Sequence, residues 1–78
     1  MRRDVAVLAY HNKDGSMTPM KIFWDEEHTY DIEAVKNVEK TGIWMNGRES
    51  FKYTVAINGK TAHLYYGPDR WYVYPPEG

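Results

Sequence analysis

Seventy-eight residues carrying a formal net charge of -1 and no cysteine suit one domain, since a typical domain holds on the order of 100–150 residues. Disulfide stapling and thiolate chemistry are excluded, and neither half of the chain is basic enough to announce a duplex-DNA binder. Hydrophobic residues at 42% and aromatics at 15% set the chain apart from charge-rich disordered sequences and supply large contact areas for a small core.

In chain order, Arg2 and Arg3 are followed by Asp4 and only a short apolar run, so no signal peptide is expected. No stretch approaches the ~20 apolar residues of a membrane helix. Val5 to His11 alternates weakly, and Asn12-Lys13-Asp14-Gly15-Ser16 forms a turn with Gly15 for a left-handed position. Met17 to Trp24 then returns. Pro19 within that return marks an edge strand or a bulge. Unbroken alternation sets Leu8 opposite Met20 and Ala6 opposite Ile22.

Asp25-Glu26-Glu27 turns into Thr29 to Glu33, where Tyr30 and Ile32 alternate with charges. The segment 31–40 has two readings. As a strand it kinks near Ala34 and continues through Val35. As a short helix it uses the three-residue recurrence of Ile32, Val35 and Val38, with Asp31 as N-cap and Gly42 as stop. The strand is favoured. Residues 41–50 contain Gly42, Asn46 and Gly47 and read as a loop or wide hairpin.

Phe51 to Ile57 alternates large apolar with polar or small residues, the period of a half-buried strand. Asn58-Gly59 is the pair best suited to a type I′ turn, and Lys60 to Tyr66 runs back. This two-residue loop fixes a register: Ile57 opposite Lys60, Val55 opposite Ala62, Tyr53 opposite Leu64, and Phe51 opposite Tyr66. Thr54–His63 and Lys52–Tyr65 share the other face. Gly67-Pro68-Asp69-Arg70 makes the next turn, pairing Tyr66 with Trp71 and Leu64 with Val73 in a last strand that Pro75-Pro76 ends.

The expected fold is all-β, a small antiparallel barrel or strongly bent sheet of five or six strands, SH3-like in one version. A short helix over 31–40 is the main alternative. Core positions are Leu8, Ile22, Ile32, Tyr53, Val55, Leu64, Trp71 and Val73, with Trp24 and Trp44 between core and surface.

Strings such as His11 to Pro19, Tyr53 to Lys60 and Arg70-Trp71-Tyr72-Val73 resemble a group of short, uncharacterised bacterial single-domain proteins of unknown function. The resemblance covers nearly the whole chain and rests on turn and strand patterns. It implies a free-standing bacterial domain and supplies no functional residue.

Catalytic and metal signatures are missing from the sequence. His11, His28 and His63 show no zinc-ligand spacing, and Ser16 and Ser50 lack a nucleophile-elbow context. Asp25-Glu26-Glu27 reads as solvated charge in a turn. The expectation is a non-enzyme with no cofactor and no metal, in a reducing cytoplasm. One surface invites binding: Lys52, Thr54, His63, Tyr65, Tyr72 and Tyr74 fall on the face opposite the core, aromatics interleaved with Lys and His. Such a row packs a protein partner or a second copy of the chain, the leading expectation, or stacks unpaired bases of a single-stranded nucleic acid, the alternative. The plain reading is that cross-strand tyrosine packing, or cover by the N-terminal hairpin, explains the row without a ligand.

Overall fold

The computed structural model describes residues 2–75, and those residues contain strands and no helix. The strands are β1 (Arg3–His11), β2 (Met17–Phe23), β3 (Thr29–Asp31), β4 (Ala34–Ile43), β5 (Glu49–Ile57), β6 (Lys60–Tyr66) and β7 (Trp71–Val73). They form one antiparallel sheet in the order β3-β2-β1-β7-β6-β5-β4. The sheet is curled. β3 and β4 lie at opposite edges, yet only Ile32 and Glu33 separate them, and the three peptide steps from Asp31 to Ala34 reach at most about 11 Å. Ile32 donates its N–H to Met20 of β2 at 2.9 Å, and Glu33 donates to Ala56 of β5 at 2.8 Å. Successive residues thus stitch the two sheet margins together at one corner.

This corner is why seven strands appear where five or six are expected: the run from Thr29 onward is broken at Ile32-Glu33 into two. The favoured strand reading of 31–40 holds, and the second strand continues to Ile43, so of the loop or wide hairpin expected over 41–50 it is the hairpin that forms, with a short turn. Turn chemistry shows how. Trp44 N–H donates to the Arg48 carbonyl, Gly47 N–H to the Trp44 carbonyl, and Arg48 N–H to Asn46 Oδ1. The β1–β2 turn repeats the design: Asn12 bonds Ser16, Gly15 bonds Asn12, and Asp14 Oδ1 takes the Ser16 N–H. The glycines after Asn46 and Asp14 have φ of +83° and +91°, values that a Cβ disfavours.

The β5–β6 hairpin has the expected register at every pair from Phe51↔Tyr66 to Ile57↔Lys60. Asn58 and Gly59 have φ of 52° and 75°, the two positive angles of a type I′ turn. Tyr66↔Trp71 also holds, but pairing of β6 with β7 stops at Tyr65↔Tyr72, and Leu64–Val73 is not a ladder pair. Tyr53, Val55, Leu64, Trp71 and Ile22 form the buried cluster, with Ile32 and Val73 packed against it. Trp24 is half-buried and Trp44 exposed, its indole N–H donating to Ser50 Oγ.

Leu8 is the correction. It is 56% exposed. Alternation counted from Ile22 without a break places Met20 inward, but the pairing runs Leu8↔Lys21 and then Ala9↔Pro19, leaving Met20 unopposed. That β-bulge, next to Pro19, inverts the faces. Ile22, Pro19 and Met17 therefore point in together, and across from them Val5, Val7 and Ala9 do the same. Leu8 and Met20 turn out.

Candidate functional site

Three adjacent strands build the outer aromatic face. Lys52 pairs with Tyr65, Tyr65 with Tyr72, and Tyr72 with Asp4 on β1, so these side chains stand in one row. Thr54 and His63 form the next rung. Residues of the row expected to lie open are partly used by one another. The Tyr65 and Tyr72 rings stack with centroids 5.4 Å apart and an interplanar angle of 11°. Tyr74 meets both edge-on, at 5.1 Å from Tyr65 and 5.7 Å from Tyr72. The Arg2 guanidinium caps Tyr72 at 4.2 Å from its centroid while its Nε donates to Asp4 at 3.0 Å.

Tyr72 is therefore only 9% exposed, and it is not a free platform. Burial pushes its hydroxyl pKa upward, with Tyr74 adding to the shift. Tyr65, Lys52 and Thr54 are half-buried, His63 is exposed, and Tyr74 is 56% exposed. Asp4 is held as a carboxylate: the Arg2 hydrogen bond lowers its pKa first, and the Arg70 bond at 3.2 Å acts the same way.

Tyr74 and His63 border a feature that sequence reasoning missed. A groove of about 750 Å³ opens beside them, within the range of small-ligand sites. Its floor is apolar: Ile57, Ala62 and Val73 are half-buried there, while Val55 and Leu64 are fully buried and Ile22 nearly so. Trp24 and Tyr30 form the far wall, and Lys60 and Asn58 sit at the hairpin end. The groove exists because β7 has three residues and β6 seven, so the sheet parts beyond Tyr65 and Tyr72. The signal was legible. Lys60 to Tyr66 is a long run, whereas the segment from Trp71 is cut short by Pro75.

Two further carboxylates are committed to turns. Asp25 Oδ1 accepts the backbone N–H groups of Glu27 and His28 and meets His28 Nδ1 at 2.8 Å. Those bonds, the His28 ring bond first, lower its pKa. Asp14 is lowered likewise by the Ser16 hydroxyl and N–H. No group of three or more metal-ligating side chains occurs among the described residues, and no helix among them is long and apolar enough to cross a membrane. No family model, curated protein or solved structure matches the chain.

Proposed function

We propose that this chain is a non-enzymatic binding module that docks a protein partner along the groove and its His63, Tyr65 and Tyr74 rim. The observation that carries this reading is the groove itself, an apolar concavity open to solvent and edged by an exposed tyrosine. Tyrosines of this kind anchor interfaces, because they bring large area with little side-chain entropy to lose. The row of Lys52, Thr54 and Tyr72 acts as support, with Tyr72 holding Tyr65 and Tyr74 in place. A second copy of the chain is one partner the surface would take. A bacterial, cytoplasmic setting and an SH3-like version of the barrel belong to the same proposal.

Single-stranded nucleic acid is the weaker reading. Stacking bases needs free ring faces, and the Tyr65 and Tyr72 faces are spent on each other. The test is selection of a random phage-displayed peptide library on the immobilised chain, with oligo-dT binding and sedimentation run alongside. Peptides should be enriched, and Tyr74→Ala should weaken them by about tenfold, the loss of an interface tyrosine worth roughly 1.4 kcal/mol. A library that yields no binder, with the chain sedimenting as a monomer at all concentrations, removes the reading. Salt-dependent oligo-dT binding would replace it with the alternative.

A further inference from the structure

The groove has a backbone edge as well as an apolar floor. The type I′ hairpin closes at Ile57↔Lys60, a pair that exchanges both backbone hydrogen bonds, so the ladder alternates from there. Lys60, Ala62 and Leu64 bond β5, and the N–H and C=O of Thr61 and His63 point away from it. Among the described residues no backbone group meets them on that side. The lane they face belongs to β7 only as far as Val73. Continuing the Tyr65↔Tyr72 register would bring residue 74 opposite His63, but Tyr74 makes no ladder pair with it. Pro75, which follows, has no N–H to give.

Charge completes the picture. Among the described residues the lining includes Lys60 and His63 and no aspartate or glutamate. Arg3 lies over the Trp24 ring at 3.8 Å and donates to the Trp24 carbonyl at 2.8 Å, placing a second cation at the wall. Lys36 reaches the Thr61 hydroxyl at 3.1 Å. The carboxylate of Glu33, near the hairpin turn, accepts the Gly59 N–H at 2.8 Å.

From these three observations we infer that the groove takes its partner by strand addition: an extended, acidic segment of a partner protein lies in the lane beyond Val73, where no described residue pairs with β6. It pairs its backbone with Thr61 and His63, sets alternate apolar side chains over Ile57, Ala62 and Val73, and turns its carboxylates to the face of Thr61 and His63, where Lys36 lies, leaving Lys60 and Arg3 as cations at the groove's margins. Main-chain bonds would give affinity and the alternate pockets specificity, as in other sheet-edge recognition. This inference rests on the binding role proposed above.

The probe is a capped synthetic peptide of alternating valine and glutamate, titrated into the full chain by calorimetry and amide-shift NMR. Two derivatives carry N-methyl groups, one set on the valine amides and one on the glutamate amides. A strand bonds its neighbour through every second residue, so one methylated set should abolish binding and the other should leave it near the parent. An alternating valine–lysine peptide should bind at least tenfold more weakly. Thr61→Pro removes an outward-facing N–H, together with the hydroxyl that Lys36 reaches, and should cost the same tenfold, with Thr61→Val as the control that loses the hydroxyl alone. If Thr61→Pro fails to fold, the methylated pair carries the test alone. Equal binding by both methylated peptides, or by the lysine peptide, overturns strand addition. So does silence of the valine–glutamate peptide when library-selected peptides bind at Tyr74, an outcome that leaves the binding module standing. Failure of both peptide sources takes the module with it.

Discussion

Replacing Tyr72 with alanine tests whether the outer aromatic row is packed or free. Three contacts would vanish: the stack on Tyr65, the edge contact with Tyr74 and the Arg2 cap. Each aromatic pair is worth about 0.5–1.5 kcal/mol beyond area burial, and an exposed cation–π contact about 0.5–1 kcal/mol. Together these give roughly 1.5–4 kcal/mol. An aromatic-to-alanine change in a true core costs about 3–5 kcal/mol. The hole here would open to water rather than remain a void, which keeps the loss at or below the core range and near the middle of the contact sum, about 2–3 kcal/mol. For a chain of this length each kcal/mol lowers Tm by about 4–8 °C, so a fall of about 10–20 °C is expected in a circular-dichroism melt. Urea titration should show a lower midpoint with an unchanged slope. Tyr74→Ala, at an exposed position, should cost under about 1 kcal/mol. Equal, small losses for the two variants would mean that Tyr72 stands free, and the division into support and rim would be wrong.

Gly67→Ala should be strongly destabilising: its φ is +146°, and a Cβ there would lie 2.5 Å from Ser50 Oγ and 3.0 Å from the Ser50 Cα. Neighbouring backbone cannot give way as a flexible side chain would, so a loss above about 2 kcal/mol is expected in urea. Gly59→Ala is its control, with positive φ but nothing within 4 Å, and should cost only about 1 kcal/mol. Leu8→Ser should change stability by less than about 0.5 kcal/mol, whereas Leu64→Ala should cost about 2–5 kcal/mol. A large loss at Leu8 would place it in the core and refute the bulge at Met20.

Much of the C-terminal half was legible because a two-residue loop leaves no freedom. Asn58-Gly59 specifies both φ signs, the strands on either side alternate cleanly, and every face from Phe51 to Tyr66 follows. The N-terminal hairpin offered no such anchor. Its residues on both faces are apolar, Leu8 and Tyr10 against Val7 and Ala9, so pattern alone could not choose. Pro19 hinted at a bulge, but the extra residue that reverses the faces is set by local geometry. Exposure of the outer row was harder still. Alternation tells which way Tyr72 points, not that Arg2, distant in sequence, folds over it. The groove follows from a difference in strand length, which shows only when the run from Lys60 to Tyr66 is set beside the one that Pro75 cuts short.

Side-chain size along the concave face explains why one end of this sheet is filled and the other is not. At one end the inward positions are Phe51, Tyr53, Tyr66 and Trp71, whose rings interlock: Tyr53–Trp71 at 5.2 Å, Tyr66–Trp71 at 4.8 Å and Phe51–Tyr53 at 6.5 Å. Moving along the same strands, the next inward residues are Val55 and Ile57 on β5, Leu64 and Ala62 on β6, and Val73 on β7. These cannot span the distance that rings bridge, so the curled sheet closes around packed aromatics and stays open over aliphatics. Ala62→Leu reads the consequence directly. In a closed core three added carbons would overpack and cost about 1–3 kcal/mol. Over an open groove they would find room, bury apolar surface at about 0.8 kcal/mol per buried methylene, and stabilise the chain by about 1 kcal/mol after partial burial. The same leucine would stand where a docked partner's side chain must go. Ala62→Leu should therefore raise the urea midpoint while weakening every peptide that binds the groove. A lower midpoint would show that the concavity is filled in solution, and the docking proposals would lose their site.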